Sequence, residues 1–138
     1  MNGESIILGD RAQALANYPH ARKVGDFLYV SGISSRRPDN TYDGVTQLAD
    51  GTYKLDVKAQ TKAVIENIRV ILQKAGGDLG NIVDVTIFLV NMEDYQAFNE
   101  VYNQYFTAEN GPSRTCVAVK QLPGKHLLIE IKAVAYLR

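Results

Sequence analysis

The chain has 138 residues, close to the commonest length of one domain, so a two-domain enzyme with a separate cofactor module is not expected. Fifteen Lys and Arg balance fifteen Asp and Glu, and this zero formal charge leaves no electrostatic footprint for nucleic acid or an anionic membrane. The single Cys116 excludes an internal disulfide or a multi-cysteine zinc site, and no long uncharged apolar stretch occurs, so a cytoplasmic protein without a membrane segment is expected.

Residues 21–24 and 27–31 read as a hairpin that turns at Gly25-Asp26 and ends in Ser31-Gly32. Residues 34–55 are long for a connection and are expected to be functional or to contain a small element, a hairpin about Asp50-Gly51. Over 56–75, Val57, Thr61, Val64, Ile65, Ile68, Ile71, Leu72 and Ala75 recur at helical spacing, with Asp56 as amino-terminal cap and Gly76-Gly77 as the close. Residues 82–90 alternate as a strand, and 93–106 form a second helix with Tyr95, Phe98, Tyr102, Tyr105 and Phe106 on one side. Residues 115–119 and 127–135 are β-rich and are separated by the turn signal Leu-Pro-Gly-Lys, which suggests a carboxy-terminal hairpin.

This order predicts an α+β fold. A helix between 27–31 and 82–90 implies a right-handed crossover between parallel strands, with the second helix on the same side of the sheet. The last strand carries apolar residues on both faces, so the sheet face without helices needs a partner, and self-association supplies one.

Metal and phosphate readings fail: His20 and His126 lack further ligands at metal spacing, and Gly76-Gly77 closes a helix where a phosphate loop precedes one. Cys116 on a strand reads as a small core residue rather than a nucleophile. Strand alternation puts Arg114 on one face with Cys116 and Ala118, while Glu130 interrupts an apolar strand, where a carboxylate must be paired, neutral or used. A structural Arg114–Glu130 ion pair and a catalytic use are both open on spacing alone.

Ser31-Gly32, Asn99 with Tyr102, Pro112-Ser113-Arg114-Thr115-Cys116-Val117 and Ile129-Glu130-Ile131-Lys132-Ala133 together resemble the RidA (YjgF) family of enamine/imine deaminases, over nearly the whole chain. The resemblance implies one chorismate-mutase-like domain over 1–138, with two helices on one face of a mixed sheet. It also implies a homotrimer with the sheets packed inside and cofactor-free, metal-free sites between subunits. By position, Arg114 would grip a substrate carboxylate, Cys116 would offer backbone contacts and Glu130 would hold the attacking water. Tyr18, Ser31, Gly32 and Asn99 would line or support the cleft.

Tyr18-Pro19-His20-Ala21-Arg22 and Ser34-Ser35-Arg36-Arg37-Pro38-Asp39-Asn40 depart from the general pattern and resemble the 2-aminomuconate deaminase branch. There Arg36 and Arg37 would meet the second carboxylate of a small dicarboxylate substrate, with His20 as a further acid–base candidate. The alternatives are a broad 2-iminoacid or enamine deaminase and a chaperone-like or RNA-directed interaction protein. Zero net charge and the lack of a basic–aromatic stripe argue against nucleic acid as partner.

Overall fold

The computed structural model describes residues 2–138. Eight strands and two α-helices follow one another as β1 (Glu4–Ile6), β2 (Ala21–Val24), β3 (Phe27–Val30), β4 (Val45–Gln47), β5 (Tyr53–Leu55), α1 (Val57–Lys74), β6 (Ile82–Leu89), α2 (Tyr95–Tyr105), β7 (Ser113–Ala118) and β8 (Ile129–Tyr136). Helix α1 begins where the sequence marks it: Asp56 is extended and its carboxylate accepts from the Ala59 backbone N–H, one of the donors a helix start leaves unpaired.

Six strands form one mixed sheet in the order β1-β2-β3-β8-β6-β7, and β4 with β5 forms a separate hairpin. The second of these is the element expected about Asp50-Gly51. Gly51 takes φ 85°, and Asp50 Oδ1 accepts from both the backbone and the hydroxyl of Thr52. Asp39-Asn40-Thr41 repeats that turn, with Asn40 at φ 69°.

Two expectations change. The carboxy-terminal hairpin does not form: β7 runs parallel to β6, whereas β8 is antiparallel to both β6 and β3 and lies between them. Helix α2 returns the chain to the start of β6, so β7 takes one edge of that strand. Residues 119–128 then cross the end of β6 and deliver β8 to its other edge. The turn signal marked a reversal of direction but not its partner. The strands β3 and β6 point the same way, as a crossover through α1 requires, but β8 separates them. Strand β1 carries no sequence signal of its own and exists through pairing with β2.

The core lies between the helices and one sheet face. Val64, Ile65, Ile68 and Leu72 of α1 and Phe98 of α2 pack on Leu28, Val30, Ile87, Ile129, Ile131 and Ala133. Burial of such side chains, roughly 1.5–3 kcal/mol for each large one, holds the helices to that face. The other face stays open, with Phe27, Tyr29, Val117 and Tyr136 all exposed; the rings of Phe27 and Tyr136 meet with centroids 5.2 Å apart. Among the described residues no helix is long and apolar enough to cross a membrane.

Candidate active site

The residues singled out in the sequence fall into two groups. The first surrounds a cavity of about 100 Å³ lined by Tyr18, His20, Ser31, Gly32, Arg36 and Glu130, together with Arg11 and Asn67. Register places Glu130: Ile129 and Ile131 point into the core, so Glu130 projects from the open face, level with Phe88. The chain beyond β3 is tied to β8 by reciprocal backbone bonds between Ile33 and Ile131, of 2.9 and 3.0 Å, which bring Gly32 against the carboxylate. A Cβ at Gly32 would sit 2.5 Å from Glu130 Oε2, so the glycine is what leaves that oxygen its place. Glu130 is half-buried and forms no ion pair among the described residues. Burial without a compensating charge pushes its carboxyl above the usual carboxylate range.

The rest of this wall is held by hydrogen bonds. His20 accepts the Leu8 backbone N–H at Nδ1 over 3.1 Å and donates from Nε2 to the Ala12 carbonyl over 2.9 Å. Both ring nitrogens are thus committed to backbone, and the ring pins residues 8–12 beside the cavity. Ser31 donates its hydroxyl to the Pro19 carbonyl over 2.8 Å, and the exposed ring of Tyr18 lies at the cavity edge.

The second group lies across the sheet. On β7, Arg114 is level with Val85 and points to the helix side, the face opposite to Glu130. This excludes the Arg114–Glu130 ion pair within one chain. The Arg114 guanidinium instead rests over three rings of α2, with its central carbon 4.7 Å from the Tyr102 centroid, 5.3 Å from Phe98 and 5.6 Å from Tyr95, and Nη2 donates to the Tyr95 hydroxyl over 2.9 Å. Ring faces attract the cation without consuming its N–H groups, so most of its fork remains free for a carboxylate. Cys116 follows on the same face; burial raises its thiol, against a smaller lowering by Arg114, so the sulfur is not an activated thiolate. Asn99 of α2 has a buried Oδ1 without a partner among the described residues.

Arg37 belongs to neither group. Its Nε and Nη2 pair with Asp43 Oδ1 at 3.1 and 2.5 Å and Nη1 donates to Thr41, so this exposed guanidinium braces its own loop. Arg11 lines the cavity in its stead. Sequence reasoning missed Arg11, which lies in a segment without periodicity, and missed the ring cradle: the aromatic stripe of α2 was visible, but its use depends on β7 lying beneath it. Among the described residues no cluster of three or more His, Cys, Asp and Glu could hold a metal ion.

A family model described as endoribonuclease L-PSP matches residues 9–137. The chain is 39% identical over 134 residues to a RutC family protein of Pyrococcus abyssi, covering 96% of this chain and 97% of that one. It is 40% identical over 136 residues to the 3-aminoacrylate deaminase RutC of Acinetobacter baylyi, covering 99% of each. Its structure resembles that of the YjgF gene product from E. coli with a TM-score of 0.80 and 29% identity, over 99% of this chain and 100% of the other.

Proposed function

The chain belongs to the endoribonuclease L-PSP family, to which its RutC and YjgF relatives give the more familiar names, and on that premise we propose that it hydrolyses the C=N bond of a carboxylate-bearing enamine or imine, with 2-aminomuconate as the substrate. The observation that carries this reading is the pair of unpartnered charges among the described residues: an acid that forms no ion pair and is lifted by burial, and a guanidinium that forms no ion pair and is held by rings. Neither state is accounted for by stability. Each suits a ligand that brings the missing group.

The protein works as a homotrimer with its sites between subunits, so that Arg114 of one chain faces Glu130 of the next. Their placement on opposite sheet faces supports this, as does an open face whose exposed Phe27, Tyr29 and Tyr136 call for cover. Arg114 binds the carboxylate beside the reacting carbon with two parallel N–H bonds. The enamine takes a proton at carbon, loses one from nitrogen and becomes the imine. Glu130 then removes a proton from water as its oxygen bonds to the C=N carbon and passes it to nitrogen; it next takes the remaining hydroxyl proton and passes that to nitrogen as the C=O bond forms and the C–N bond breaks. Enamine plus water thus gives the oxo or enol dicarboxylate plus ammonia. A carboxyl lifted toward neutrality by burial suits both transfers.

The 3-aminoacrylate deaminase among the relatives favours a second reading, a broad deaminase of small imines. Ammonia release from 2-aminomuconate and from 2-iminopropanoate, both generated in place, separates the two. The expected result is a higher kcat/KM for 2-aminomuconate. Equal or better turnover of 2-iminopropanoate selects the broad deaminase, and RNA cleavage without turnover of either imine overturns the deaminase reading.

A further inference from the structure

The cavity that Glu130 lines is also lined by Arg11 and Arg36, and Glu130 is the one acidic residue among the described residues that line it. Neither arginine forms an ion pair with a described carboxylate. Their partners are neutral: Arg11 Nη2 donates to Asn67 Oδ1 over 2.6 Å, while Arg36 donates from Nη1 to Asn40 Oδ1 over 2.7 Å and from Nη2 to the Gln13 carbonyl. Two half-buried cations against one carboxylate leave the cavity with surplus positive charge, an arrangement that is costly when empty and favourable once an anion enters.

The two segments that carry them share one support. Asn67 projects from α1; its Oδ1 receives Arg11, and its Nδ2 donates to the Ser34 carbonyl over 3.0 Å and, at 3.5 Å, to that of Arg36. Arg36 closes the circuit by reaching back to Gln13, in the segment that carries Arg11. One amide on a rigid helix therefore fixes two irregular segments, and each brings a guanidinium to the same space.

We infer that Arg11 and Arg36 form a second anion subsite, positioned by Asn67, that receives the substrate carboxylate remote from the C=N carbon. This deepens the proposed function and rests on it. It also moves the second-carboxylate role from Arg37, whose charge Asp43 already satisfies, to Arg11. Bidentate pairing with two guanidinium groups sets a dicarboxylate apart from a monocarboxylate of the same length.

Calorimetric titration with trans,trans-muconate and with sorbate, the same diene with a methyl in place of one carboxylate, tests the subsite directly. Muconate is expected to bind wild-type protein at least about tenfold more tightly than sorbate, one charge-assisted contact being worth that much or more. Arg11→Gln and Arg36→Gln should each remove most of this preference. Asn67→Asp, of the same size, should remove it as well by setting a carboxylate against Arg11, although residue 67 is a positioning residue; thermal melting verifies that each variant folds. Equal wild-type affinity for the two acids, or a preference that survives both arginine substitutions, overturns the subsite. Turnover of 2-iminopropanoate is followed in parallel. Turnover without a muconate preference leaves the deaminase reading standing and removes the subsite. An arginine-dependent preference without hydrolysis of any imine does the reverse.

Discussion

Glu130 and Arg114 project from opposite faces of one sheet and have their charges prepared by different means. Around Glu130, burial acts alone: no cation pairs with the carboxylate among the described residues, and the carboxyl is driven toward its protonated form. Around Arg114, three aromatic rings and one hydroxyl surround a group that stays cationic in any protein environment and whose N–H fork is left largely unused. The first is built to exchange a proton and the second to hold a fixed charge. A sheet with helices on one side and an open face on the other supplies both, because desolvation by strand packing and stacking on a helix are available in different places.

The largest effect is expected at the proton-exchanging side. Glu130→Gln keeps size and hydrogen bonding but removes the base, and turnover should fall roughly 10²–10⁴-fold. Stability should move the other way. Because burial raises the carboxyl above its unfolded value, the folded chain binds more protons than the unfolded one between those two values, and stability falls as pH rises through that window. Glu130→Gln lacks this loss, so above the window it should melt at or above the wild-type temperature. In the wild type, the acidic limb of the kcat profile should lie above the range of an ordinary glutamate.

On the fixed-charge side, Arg114→Ala should cost about 2–5 kcal/mol in kcat/KM, and Arg114→Lys should recover little because an ammonium lacks the planar fork. Melting should reveal only the loss of ring contacts, about 1–2 kcal/mol.

Gly32→Ala sharpens the contrast. The added Cβ meets the movable end of Glu130 and no backbone, so the carboxylate must shift while the fold tolerates the change. A fall in kcat of about tenfold to a hundredfold is expected, with little change in KM or melting temperature. The smallest effect belongs to Cys116→Ala: a half-buried thiol whose pKa burial raises takes no part as nucleophile, and kcat should stay within about threefold of wild type.

What the sequence revealed and what it hid divide along the same line as local and long-range forces. The α1 stripe, its Asp56 cap and the Asp50-Gly51 turn depend on neighbours in the chain and were legible. The pairing of β7 and β8 depends on which edge of β6 each reaches, and no local pattern contains that. The candidate site behaved likewise. Alternation on β7 put Arg114 with Cys116, as the structure has it, but the opposition of Arg114 to Glu130 needed the register of two strands against β6. Arg37 and Arg36 are neighbours in sequence, and only Asp43, folded back by the Asp39-Asn40-Thr41 turn, separates their roles.

A subunit-mixing experiment tests most directly whether the two halves meet across chains. Arg114→Ala and Glu130→Gln, each inactive alone, are coexpressed in equal amounts, and the mixed oligomers are assayed for ammonia release. If each site joins Arg114 of one chain to Glu130 of its neighbour, random assembly restores both residues in about a quarter of the sites, so roughly a quarter of wild-type activity should return. Mixed oligomers that form yet stay as inactive as the separate variants would contradict the shared site.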